Sequence, residues 1–464
     1  MYLIKCAALA LALALTASAA SQMTLADNEV QVPIPVVEDS VALPAAAPSN
    51  SQSQSGGLIA DSKLNILARN LYYDDDNKSS GAVQSKYREW TQGLITTFES
   101  GFTHGTIGFG LDAHALAGFK LDSGKGRAGA GVLPSNGSDC NAKGQCASQD
   151  SYGEVHGALK ARVSNTTLKY GEMFVHTPLF DTGDTRLLPE AATGFLLQSM
   201  DVDNLEVTLG HFTAANQQAS TNANDVFEGY AGVMDGSMGV AGAVYHFNSA
   251  LSASVYVGEL QDYWRQYYMN ITYGMALSDT QKLDFNFNIY RSKEAGSAKV
   301  GAVGNTTGSL AFTYSQGVHS LTLAYQQVDG DTPFDYVGNY SIYLANSYYS
   351  DFNGPNEKSW QVRYDLDLSE ILIPGLSAFG VYMKGFDIDG GHMPSSSAYH
   401  AVWGASEKQD HHELDFGGRY VVQGGAAKDL SFYLVQQVHR GSQQQFDGNF
   451  NRVRLIVEYP LEIL

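Results

Sequence analysis

The sequence predicts an all-β fold, an antiparallel β-barrel that crosses a membrane. Three observations carry this reading. First, residues 105–124 read GTIGFGLDAHALAGFKLDSG, with Ile107, Phe109, Leu111, Ala113, Ala115, Ala117, Phe119 and Leu121 at every second place. Gly108, Gly110, Asp112, His114, Gly118 and Lys120 lie between them. Period two gives a strand one apolar and one polar face. The run lasts roughly fifteen residues, against about 5–6 for strands of soluble sheets and about 9–11 for a tilted membrane-crossing strand. Second, the connections between alternating segments sort into short turns and long polar loops, the pattern of a transmembrane barrel. Third, only 16% of the 464 residues are charged, against a usual ~25%, while 48 Gly and 27 Tyr suit many strands and an aromatic girdle.

Taken in order, residues 1–20 read as a signal peptide. Lys5 supplies a basic start, Cys6 to Leu15 an apolar core, and Ala17-Ser18-Ala19 a small-residue cleavage site. Residues 21–57 are rich in Ala, Pro, Ser and Gln without periodicity and end in SNSQSQSGG; they read as a disordered leader. The barrel is assigned to 58–464. Within it, SYGEVHGALKARVSN sets Val155, Leu159, Ala161 and Val163 against Glu154, His156, Lys160 and Arg162. Hairpins are expected around Asn248-Ser249 and Gln316-Gly317, and again within LDFGGRYVVQGGAAKDLSFYLVQQ. SWQVRYDLDL puts Arg363 on the polar face, and the last strand lies in NRVRLIVEYPLEIL. Residues 124–151, 217–236 and 329–359 read as long loops. The apolar stripe then faces lipid, and the glycine and charge face a lumen.

A net charge of −20 argues against nucleic acid, whose phosphates need a basic surface. Cys140 and Cys146 sit in SDCNAKGQCAS, a polar loop in an exported chain, which favours a disulfide closing a small ring. Metal binding would need further ligands, and none lies nearby in sequence; no metal and no cofactor are expected. The candidates for catalysis are His114 and His411-His412-Glu413. Adjacent strand residues point to opposite faces, so His411 and His412 cannot share one metal. No His-Glu-x-x-His or Gly-x-Ser-x-Gly motif is present, and no catalytic residue is assigned. An outer-membrane barrel enzyme (protease or lipase-like), a plugged receptor and a non-conducting structural barrel remain the alternatives to a pore.

Five blocks carry a resemblance. SGFTHGTIGFGLDAHALAGFKLDSGKGRAGAGVLP, ALKARVSNTTLKYGE, DTRLLPEAATGFLLQS, SIYLANSYYSDFNGPNEKSWQVRYDLDL and NRVRLIVEYPLEIL occur in the order found in the OprD family of substrate-specific outer-membrane porins, which the chain resembles from about Asp61 onward. The resemblance implies a barrel of 18 strands in the bacterial outer membrane, in contact with its lipids. It implies a pore within each chain, monomeric or weakly trimeric. It implies diffusion of small water-soluble solutes that usually bear a carboxylate, guided by a ladder of basic side chains past infolded loops.

HTPLFDTGDTRLLPEAATG, residues 176–194, breaks the alternation and carries Asp181, Asp184 and Arg186. Matched to the family it is the third outer loop, with Leu187, Leu188 and Phe195 packing on the inner wall. The seventh loop would place Tyr348, Tyr349 and Asp351 at the constriction. By alternation Lys120, Lys160, Arg162, Arg363, Arg419, Arg452 and Arg454 face inward, each either a member of the ladder or a lumen residue paired with Asp112, Glu154, Asp365 or Asp415 away from the solute path; Arg162 and Arg363 fall in the best-matched blocks. Where the family tends to place ladder arginines in two late strands, Val381 and Val435 stand here. That thins the ladder and leaves room for zwitterionic or cationic solutes.

Overall fold

The structure, a computed structural model, describes residues 51–464 other than 81, 83, 339–341, 405 and 406. The signal peptide and most of the leader therefore lie outside the described residues. Eighteen strands alternate up and down: β1 Lys63–Asn77, β2 Lys86–Glu99, β3 Gly108–Asp122, β4 Ser151–Val163, β5 Thr166–Met173, β6 Ala191–Val202, β7 Leu205–Asn216, β8 Met238–His246 and β9 Leu251–Leu260. They continue as β10 Trp264–Ser278, β11 Gln281–Glu294, β12 Gly304–Gln316, β13 His319–Asp329, β14 Lys358–Asp367, β15 Leu376–Ile388, β16 Gln409–Val421, β17 Ser431–Gly441 and β18 Phe450–Glu462. Each pairs antiparallel with the next, and β18 pairs with β1, from Asn65↔Glu462 to Asn77↔Phe450. Closure leaves the sheet no edge, so every strand can satisfy its backbone within the membrane.

The predicted faces are the observed ones. In β3, Phe109, Leu111 and Phe119 point outward and exposed, while Asp112, His114 and Leu116 are buried inside. Val155, Leu159, Val255, Leu323 and Leu434 continue the outer apolar face. The hairpins also fall where the sequence put them. Tyr245 pairs with Ala253 across the 247–250 turn. Gln316 pairs with His319 across Gly317-Val318, where Gly317 holds φ +57, a left-handed angle that glycine adopts at no steric cost. Val381 and Val435 both face inward and are buried. Val381 lies between Arg363 and Asp415, and Val435 lies beside Arg454.

The long loops fold back into the lumen. The third loop, 174–190, carries Leu187 and Leu188 into a buried cluster with Leu71, Tyr73, Ile95, Leu116, Tyr152 and Ile456. Its other end sends Val175, Leu179 and Phe180 against Phe212, Tyr268 and Tyr290. Burying a large apolar side chain is worth about 1.5–3 kcal/mol, so the loop has strong reason to leave the solvent. Arg69 of β1 pins it: its guanidinium donates to Asp184 at 2.5 and 2.8 Å and to Glu458 at 2.7 Å. Phe195, expected to pack inward with this loop, belongs instead to the outer face of β6. It is 48% exposed and stacks on Tyr170 at 4.4 Å. The strand begins at Ala191, and its alternation decides the matter.

The last residues of the leader are more ordered than their composition predicts. Gln52–Gln54 form a 3-10 turn at the turn side of the barrel. Gln52 is buried, its amide donating to the carbonyls of Thr103 and Gly105. A side chain on Gly108 would collide with it. Composition misleads here because a glutamine that finds backbone acceptors and a donor is held by them, whatever its neighbours are.

Candidate functional site

Inside the barrel lies a cavity of about 1930 Å³. It runs from the short turns, at Asn204, Ser249 and Gly317, up to the infolded third and seventh loops. Four arginines border it: Arg186 of the third loop, Arg363 of β14, and Arg452 and Arg454 of β18. Tyr348, Tyr349, Asp351, Asp447, Tyr230 and Tyr336 border it as well.

The four arginines are not equivalent. Arg363 lies against Asp365, with N–O distances of 2.8–3.0 Å, and donates to the Tyr348 hydroxyl at 2.8 Å. Arg452 donates to Asp75 at 2.5 and 3.0 Å and lies over the rings of Tyr349 and Phe450 at 3.9 and 4.6 Å. Among the described residues, Arg186 and Arg454 have no carboxylate within 4 Å. Arg454 also has a buried Nε with no hydrogen-bond acceptor. Burial, with Arg452 and Arg454 nearby, pulls the Arg186 guanidinium below its ordinary pKa. Two cations at the wall are thus without a direct ion pair.

Asp351 is the counterpart. Its carboxylate accepts from Tyr230 at 2.7 Å, Tyr336 at 2.6 Å and Ser347 at 2.8 Å. Burial raises its pKa despite these donors. Tyr349 and Ser350 donate their backbone N–H groups to Glu413 at 3.0 and 2.9 Å, which fixes the loop that carries Asp351. Asp335, accepting from the Tyr230 and Tyr336 backbone and the Tyr399 hydroxyl, ties the fourth, seventh and eighth loops together. Its pKa is pushed up to about 6 by burial.

Other sequence candidates lie elsewhere. Lys160 and Arg162 face inward but do not border the cavity. Lys160 bonds Asp112 at 2.6 Å, and Lys169 holds the same carboxylate at 2.7 Å. Arg162 sits near the turn side, its Nε donating to Gln52 Oε1 at 3.1 Å and its guanidinium 4.0 Å from the Phe102 ring centre. Arg419 is half-buried low on β16, level with Ser377 and Tyr433. Alternation gives the face of a strand residue and says nothing about its height, and that accounts for all three. Cys140 and Cys146 are bonded across a small ribbon, Ser135–Cys140 with Cys146–Ser148, in the second outer loop. His114 packs on Phe174 beside a smaller cavity of about 270 Å³. Tyr230, Tyr336 and Asp447 were not anticipated, since they lie in loops without period. The abundance of tyrosine was their one signal.

A closed β-barrel with short turns at one end, infolded loops at the other and a charged passage between is an outer-membrane channel of the porin type. The profile of the OprD family, outer membrane porins, matches residues 56–463, and the chain belongs to that family. Porin D of Pseudomonas aeruginosa is 44% identical over 89% of this chain and 94% of its own length. A crystal structure of Pseudomonas aeruginosa OprD superposes with a TM-score of 0.77 at 43% identity, over 89% of this chain and 98% of that one. Pseudomonas aeruginosa OpdK, solved with vanillate, gives 0.77 at 31% identity, over 88% of this chain and all of that one.

Proposed function

We propose that the channel passes small water-soluble solutes that carry a carboxylate, with zwitterions such as amino acids or short peptides served best. The observation that carries this is the pair Arg186 and Arg454, guanidinium groups at the cavity wall without a carboxylate partner among the described residues. They attract a carboxylate, while Asp351, bordering the same cavity, attracts an ammonium group. A transverse field of this kind orients a dipolar solute and raises its local concentration. Conduction further requires that these contacts be weak enough to let the solute leave. Val381 and Val435 shorten the basic track, which favours solutes with both charges over plain anions. OpdK, a relative solved with vanillate, lends support for the carboxylate.

We further propose that the chain acts without catalysis, one pore per chain, as a monomer or weak trimer, and that residues 1–20 direct export. Reversal potential across a planar bilayer in a salt gradient tests the reading. Anion preference that weakens in Arg454→Ala, with current blocked by added amino acids, supports it. Cation preference indifferent to Arg454→Ala overturns it.

A further inference from the structure

At the loop end of the lumen, His411 of β16 and His439 of β17 face one another. Both are buried, and both lie outside the arginine set described above. His411 Nδ1 and His439 Nε2 are 2.8 Å apart. The far nitrogen of each ring meets an acceptor. His411 Nε2 lies 2.6 Å from Glu357 Oε1, and His439 Nδ1 lies 2.7 Å from the Gly448 carbonyl oxygen. Those two contacts each need a hydrogen, and neutral imidazoles have one hydrogen apiece. Both are then used, and two lone pairs confront each other at 2.8 Å. With Glu357 ionised, a positive charge must sit between them, either a proton or a metal ion; Ser350 Oγ and Gln445 Nε2 also lie 3.3 Å from His411 Nδ1.

Three features favour the metal. A histidine ligand characteristically donates its other ring N–H to a carboxylate or backbone carbonyl, and both rings do so here. An anionic oxygen converges on the same point: Asp447 Oδ2 lies 3.8 Å from His411 Nδ1, steadied by Ser350 and Gln445 at 2.7 Å each. The three ligand atoms all lie within 4.8 Å of one another. Bonds of about 2.0–2.2 Å to a tetrahedral Zn2+ place ligands roughly 3.4 Å apart, within the span observed.

We propose that His411 Nδ1, His439 Nε2 and Asp447 Oδ2 form a site for a divalent transition-metal ion of the Zn2+ class, with Glu357 and the Gly448 carbonyl orienting the imidazoles. Two nitrogens and a carboxylate suit Zn2+ better than Ca2+ or Mg2+, which prefer oxygen alone. The ion would clasp two strands to the ninth loop. Through Glu357 and Ser350 it would also hold the seventh loop, which bears Asp351. The cluster takes a metal whichever solute the pore carries.

The test uses the full chain in detergent, freed of metal by a chelator, then equilibrated with Zn2+ and washed. Elemental analysis is expected to find one Zn2+ per chain, absent in His439→Gln and in Asp447→Asn. Glu357→Gln is expected to weaken binding by about 10–100-fold. Co2+ added to the wild type should give the visible absorption of a low-coordinate nitrogen–oxygen site. Asp447 lies in a loop, so its variant folds even where a strand histidine is essential. Metal retained equally by both variants places the ion elsewhere and overturns the proposal. No stoichiometric metal and no cobalt band in the wild type overturns it too, and leaves a shared proton between the rings.

Discussion

Lys160 and Arg162 on β4, and Arg452 and Arg454 on β18, make two basic pairs with the same spacing and the same inward face. Their fates differ. Lys160 shares Asp112 with Lys169, and Arg162 is capped by Gln52 and stacked on Phe102. Arg452 and Arg454 border the open cavity, and Arg454 has no carboxylate within 4 Å among the described residues, Asp415 being its more distant acid. An inward cation serves transport only when it is high enough to meet the solute and free enough to act on it. The first pair holds the wall together; of the second, Arg452 is tied to Asp75, and Arg454 is the one proposed above to act on the solute.

The largest effect expected from this contrast is on stability. Asp112→Ala leaves the buried Lys160 without its carboxylate and releases the half-buried Lys169 from the same group. Stranding a buried charge costs about 3–5 kcal/mol. Heat-induced loss of the compact form on electrophoresis should come at a clearly lower temperature, while the selectivity of the surviving channels stays near that of the wild type. A selectivity change as large as that of Arg454→Ala would erase the distinction between the pairs.

Next in size is Arg454→Ala itself. A unit charge felt at roughly 7 Å through water is worth about 0.6 kcal/mol; its removal costs an anion that much and spares a cation the same, so the anion-to-cation permeability ratio should fall about sevenfold. Reversal potentials read this directly.

A pH step should follow from Asp351. Its pKa is raised by burial, so the folded protein takes up this proton more readily than the unfolded chain does. The group's contribution to stability is complete below the ordinary carboxylate pKa and is lost as pH rises through the higher folded value. Lowering the pH therefore removes a negative charge from the passage earlier than an ordinary carboxylate would. Anion preference rises with it, and Asp351→Asn should abolish the step in a selectivity-against-pH series.

Smallest is Arg162→Ala. It loses a ring contact worth about 0.5–1 kcal/mol and releases Gln52. The selectivity stays where it was, and limited proteolysis cuts sooner before Leu58. Resistance unchanged from the wild type would show that Gln52 is held without the arginine.

Much of this molecule was legible in its sequence. Period-two alternation gave the faces of the strands, the hairpins at 248–249 and 316–317, and the inward positions of Arg363, Arg452 and Arg454, because a side chain's face depends only on parity. Height along the barrel depends on where a strand begins and on its stagger against its neighbours, which no local pattern records. Hence Arg162 and Arg419 were read into the passage although neither borders it. The loops were the other gap. Tyr230, Tyr336 and Asp447 reach the cavity through folds set by long-range packing. His439 is a different kind of omission: Val435 faces inward, so its parity was readable, but its partner His411 stands 28 residues earlier in the chain.

The seam between the first and last strands bears on how such a protein comes to exist. Arg452 finds Asp75 across 377 residues of chain, and Arg454 finds its neighbour Tyr73 only when β18 meets β1. Contacts of such long range form late and slowly. The electrically active wall is thus among the last parts to be assembled. Until β18 meets β1 the cylinder stays unclosed and Arg452 lacks Asp75.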